Sequence, residues 1–136
     1  MKYGILLAFL VLCGCSTTPV PPDQAASIPS DRVYAQSEPG QDKLPVQVTR
    51  DEGGTDSRFC GVILTRDNKK LATFKPGETA TFYVEPGKHV FAAKQASMMC
   101  GFGTVETVAN VTQQRPTSLR IYIPFKAGLH ISETAY

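Results

Sequence analysis

Thr79 to Val84 alternates without a break, with Ala80, Phe82 and Val84 on one side and Thr79, Thr81 and Tyr83 on the other. A period of two is that of an extended strand with one buried face, and it excludes an amphipathic helix here. Two near-identical turns bracket the segment, Lys75-Pro76-Gly77-Glu78 and Glu85-Pro86-Gly87-Lys88. Proline at the second turn position presets φ and glycine at the third supplies a positive φ, a type II signature at both places. The spacing therefore predicts an antiparallel meander in which this strand pairs with its neighbours, about 69–74 and 88–94.

The same punctuation recurs along the chain. Leu44 to Arg50 alternates around Val46 and Val48, and Pro45 assigns that strand to a sheet edge. After Asp51-Glu52-Gly53-Gly54, read as a solvated turn, Cys60, Val62 and Leu64 share one face, and Asp67-Asn68 suits a tight hairpin. In 88–94, His89 and Phe91 compete with Val90 and Ala92 for the inward face. Further strands are expected at 104–111 and 118–123, with Leu119, Ile121 and Ile123 inward, and around Leu129 and Ile131. No helical period follows residue 40. The expected fold is all-β, an antiparallel β-sandwich of about seven strands over residues 44–136, with a small open barrel as the alternative.

The N-terminus obeys different rules. Lys2 is followed by an apolar run from Tyr3 to Val11 and then by Leu12-Cys13-Gly14-Cys15. A basic head and a hydrophobic segment of roughly ten residues form a secretory signal, too short to span a bilayer. The run's ending resembles the lipobox of bacterial lipoproteins, with residues 1–14 removed and Cys15 lipidated. Acyl chains on one cysteine would make attachment effectively permanent. Ser16 rather than an acidic residue follows Cys15, which by the same resemblance implies the outer membrane of a Gram-negative bacterium, with the protein on its periplasmic face. Residues 15–43, rich in Pro, Ser, Thr and Gln, read as a flexible tether, with one short helical turn near 31–36. Its first part, residues 16–30, extended at about 3.1 Å per residue, would hold the domain on the order of 40 Å from the bilayer.

Export decides how the remaining cysteines are used. With Cys13 discarded and Cys15 lipidated, Cys60 and Cys100 are left in an oxidising compartment, where a pair is expected as a disulfide. Closing a loop of this size stabilises a fold by roughly 4 kcal/mol on the chain-entropy model.

Residues 58–93, with Cys60, the polar hairpin, Phe82-Tyr83-Val84 and Glu85-Pro86-Gly87-Lys88-His89, resemble small bacterial lipoproteins of a domain-of-unknown-function group. The ending, Leu119-Arg120-Ile121 and Ile131 to Tyr136, is similar to the close of such chains. The resemblance implies an immunoglobulin-like or transthyretin-like sandwich and no reaction.

Net charge is +2 in 136 residues, with no basic stripe and no Trp, so neither phosphate-tracking nor an aromatic platform for single strands is supported. Only His89 and His130 could serve as acid–base groups near neutral pH, and no nucleophile motif accompanies them. No enzyme activity, cofactor, resident metal or nucleic-acid partner is expected. The remaining candidate is the glycine-flanked bend holding Met98, Met99 and Phe102, which either closes the end of the sandwich or meets a partner. The expected role is a membrane-anchored, protein-binding or structural accessory of the envelope. The alternative is a small-ligand module, with Met98, Met99, Cys100 and His89 as soft donors for Cu(I).

Overall fold

The computed structural model describes residues 18–54, 57–124 and 127–135; the signal segment 1–14 and Cys15 lie outside them. The described residues form nine strands: β1 (Ala26–Ser27), β2 (Leu44–Arg50), β3 (Val62–Arg66), β4 (Lys69–Phe74), β5 (Glu78–Val84), β6 (Gly87–Gln95), β7 (Thr104–Val111), β8 (Thr117–Tyr122) and β9 (His130–Thr134). They make two sheets, ordered β1-β5-β2-β8-β9 and β4-β3-β6-β7. Between the sheets lies one core that includes Val46, Val48, Leu64, Phe74, Phe82 and Phe91. The all-β, two-layer expectation holds. The count of about seven strands does not, and the sandwich is not purely antiparallel, because β8 runs parallel to β2 and β1 parallel to β5.

The expected meander is absent. β5 pairs with β1 and β2, whereas β4 and β6 lie in the other sheet, each paired with β3. Both Pro-Gly segments therefore carry the chain from one sheet to the other. The reason lies in turn handedness: a type II turn splays the strands it joins, while types I′ and II′ match their twist. Asp67 and Asn68, at φ 46° and 67°, meet the I′ requirement and do close a hairpin, β3–β4. Gly77, at φ 75°, fits the type II reading, but Gly87, at φ 125°, does not, and it already belongs to β6. Phe74 and Phe82 consequently meet across the layers, with centroids 6.4 Å apart and rings tilted at 57°, instead of lying side by side in one sheet.

Pro45 is likewise not on an edge strand. β2 is central, but the β8 ladder begins only at Val46, so the missing N–H of Pro45 faces no partner strand. In β6 the inward face belongs to Phe91 and Ala93, leaving Val90 outside.

Much of the stretch read as tether is packed onto the domain. Val20 and Ile28 are buried, and Ala26 and Ile28 donate backbone bonds to Gly77 and Thr79. Ser30–Arg32 forms a 3₁₀ turn, Val33 bridges to Ala72, and Tyr34 N donates to the Leu71 carbonyl. Tyr83 N, back on β5, donates to the Gln36 carbonyl. Residues 26–36 thus form a strap along the seam between β4 and β5, the facing edges of the two sheets. Backbone hydrogen bonds hold it where apolar pattern is sparse, which is why composition alone gave no sign of it.

Candidate functional site

The two layers meet a set of loops at one end of the sandwich. β2 and β4 finish there, at Arg50 and Phe74, and β3 starts there, at Val62. Cys60, just before β3, is joined to Cys100, between β6 and β7, with Cα atoms 5.8 Å apart. The expected pairing is the one formed. With the Cys100 sulfur in this bond, no thiolate is available to a Cu(I) site, and among the described residues no three His, Cys, Asp or Glu side chains group as metal ligands.

Arg50 fixes the Cys60 arm from beneath. It is 2% exposed, and its Nη1 donates to the carbonyls of Cys60 and of Phe74 (2.8 Å), its Nη2 to that of Ser57 (3.3 Å). Burial pushes its pKa down to about 10, with Glu78 acting in the opposite sense. A guanidinium with several fixed donors suits a set of orphan loop carbonyls in a way a lysine does not. The next residue corrects the solvated-turn reading: Asp51 is buried and accepts from Arg120, with Nε 2.9 Å from Oδ1 and 3.0 Å from Oδ2. Arg120 also lies over the Tyr122 ring, 4.7 Å from its centroid.

The Cys100 arm is a single 3₁₀ turn, Met98–Cys100. Ser97 begins it by accepting from Met99 N (3.3 Å). Gly101, at φ 135°, ends it, and it is that backbone conformation, strained for any residue with a Cβ, that glycine allows the chain to take here.

The two arms are rigid at the base and apolar at the tip. Phe59 is 91% exposed, Met98 75%, Met99 97% and Phe102 84%. The bend therefore does not close the end of the sandwich. Its large side chains project into solvent, and Phe59, one residue from the disulfide, joins them from the other arm. Phe59 did not emerge as a candidate from sequence alone, although a signal existed: pairing Cys60 with Cys100 carries the residue beside Cys60 to the residues beside Cys100.

The histidines lie elsewhere. His89 belongs to the opposite end, near the β3–β4 hairpin, where Nδ1 is 2.9 Å from Asp67 Oδ2 and Nε2 is 2.7 Å from the Glu85 carbonyl. Its hydrogen bond, with that from Val90 N, holds the Asp67 carboxyl below the usual range. Arg66 closes the cluster through Glu85 at 3.1 Å. His130 stacks on Tyr122 at 5.0 Å and donates from Nε2 to Ala127 O. Neither ring faces a hydroxyl or thiol nucleophile in these contacts, and the structure does not bring either to the Met98–Phe102 bend.

No family model, curated protein or solved structure matches this chain.

Proposed function

We propose that the protein is a lipid-anchored accessory of the bacterial envelope, fixed to the periplasmic face of the outer membrane through Cys15, and that it acts by contact rather than by catalysis. The observation that carries this reading is the tip itself: Phe59, Met98, Met99 and Phe102 are presented to solvent by two arms that the Cys60–Cys100 bond and the Arg50 side chain hold in place. Large apolar side chains kept out of the core by a braced scaffold gain free energy only when something covers them. The sequence supports the anchor independently, through the apolar run and the Leu12-Cys13-Gly14-Cys15 signature.

The test is intact mass of the protein purified from membranes, followed by photo-crosslinking in cells from positions 59 and 99. A mass equal to residues 15–136 plus acyl chains, together with adducts from both positions to either a discrete protein or membrane lipid, is the expected result. An unprocessed chain would overturn the anchor, and tip positions that yield no adduct would overturn the contact role.

A further inference from the structure

The packed N-terminal segment changes what an anchor on Cys15 would do, because the first packed residues lie near the start of β1. Ala26 N bonds the Gly77 carbonyl, and Gly77 N in turn bonds the carbonyls of Arg50 (3.1 Å) and Asp51. Arg50 is the residue whose Nη1 also reaches the Cys60 carbonyl. The strap therefore begins at the disulfide end. β1 runs parallel to β5, away from that end, and just before it the chain folds back so that Pro22 and Asp23 lie beside Ile28, Gln47 and Thr81 on the same sheet. A tight turn, in which Gln24 N and Ala25 N both donate to the Pro21 carbonyl (2.9 and 3.1 Å), keeps Pro21 and the buried Val20 next to the start of β1.

The slack is then short. Five residue steps separate Cys15 from Val20, at most about 17 Å fully extended. β6 alone runs nine residues along the sandwich, about 27 Å from its far end at Gly87 to the disulfide end at Gln95. With the packed chain held near the start of β1, the disulfide end is nearer to a lipid on Cys15 than the Asp67-Asn68 end is. The nearer end is the one carrying Phe59, Met98, Met99 and Phe102. Arg58, beside Phe59, and Lys75, in the β4–β5 connection, are exposed at that end as well. Basic side chains flanking apolar tips suit the boundary between anionic headgroups and acyl chains.

We infer that the stapled tip docks on the lipid surface of the same membrane that holds the anchor, so that the domain stands upright on the bilayer with its strapped end down. This rests on the proposed lipidation of Cys15, and it names the bilayer, rather than a protein, as what covers the tip. The roughly 40 Å stand-off expected from an extended tether is replaced by direct apposition.

The chain contains no Trp, so single tryptophans report without background. Phe102→Trp at the tip and Lys88→Trp at the far end are both at exposed positions. Each is introduced into the full-length lipidated protein and reconstituted in phosphatidylethanolamine–phosphatidylglycerol vesicles containing brominated acyl chains. The expected result is a blue-shifted Phe102→Trp emission, quenched several-fold more strongly than that of Lys88→Trp. Equal quenching at the two positions, or a Phe102→Trp emission as water-exposed as that of Lys88→Trp while intact mass shows the lipid in place, would overturn the docking and leave the tip to a protein partner. A chain whose intact mass carries no lipid and which does not sediment with vesicles would overturn the anchor, and the docking with it.

Discussion

Glu78 is the residue on which the strap turns. Burial pushes its carboxyl up, but bonds from Arg32 (2.7 Å and 2.5 Å) and from Lys75 N (2.6 Å) outweigh that and bring it below its ordinary 4.5. The same guanidinium spans the seam, since Arg32 Nη1 also donates to the Thr73 carbonyl of β4 at 3.1 Å. A carboxylate whose folded-state pKa is depressed stabilises the fold above its unfolded pKa, and that contribution is lost as pH falls through the folded value. Thermal unfolding followed from pH 7 downward should therefore hold steady to about pH 5 and decline below 4.5. Glu78→Gln, which keeps the shape and removes the charge, should cost about 2 kcal/mol at pH 7 and flatten the acid limb. A variant with the native pH profile would show that the pair contributes nothing to stability. Little of this was legible beforehand. Arg32 and Glu78 are 46 positions apart, and both sit in segments whose local pattern reads as turn or linker. Arg50, outwardly the polar end of an alternating strand, becomes a buried brace only because the loop beyond it folds back.

At the scale of elements, the strands were legible and their partners were not. Alternation places Val46 and Val48, Phe82 and Val84, and Leu119 and Ile121 inward, and all six are buried. Which strand lies beside which depends on turn geometry, and the error at the Pro-Gly segments came from reading every tight reversal as a hairpin. A period of two is equally satisfied when the next strand lies in the facing sheet. The strap escaped for a different reason: it contributes backbone donors and acceptors more than apolar surface. It covers edges that would otherwise present unpaired groups, β4 through Val33 and Tyr34, β5 through β1 and Gln36. Exposed edges invite pairing with other chains. A version of the soluble domain beginning at residue 38 should unfold at distinctly lower urea than one beginning at residue 18, and should associate at concentrations where the longer form stays monomeric. Were residues 18–37 a tether alone, the two urea midpoints would coincide.

For the whole molecule, the disulfide end carries three features that need not have coincided: the start of the strap, the braced arms and the apolar tip. An anchor on Cys15 would convert that coincidence into orientation, because the chain left free between lipid and domain is shorter than the sandwich. Orientation of this kind has a proteolytic readout. Arg58 is exposed on the Cys60 arm next to Phe59, so trypsin can cut after it when the tip is free and is hindered when the tip rests on a surface. Cleavage at Arg58 should be slow for the lipidated protein on vesicles and faster for the same protein in dilute detergent, whereas cleavage after Lys88, at the far end, should be insensitive to the vesicle. Inserting a ten-residue Gly-Ser segment between Ser16 and Thr17 adds on the order of 17 Å of average reach and leaves residues 18–135 unchanged in sequence. The longer chain should keep its melting temperature, yet its Arg58 site on vesicles should become more accessible if the short slack is what holds the tip down. Continued protection with the longer chain would instead mean that Phe59, Met98, Met99 and Phe102 hold the surface by their own affinity, and equal cleavage with and without vesicles would leave neither force acting.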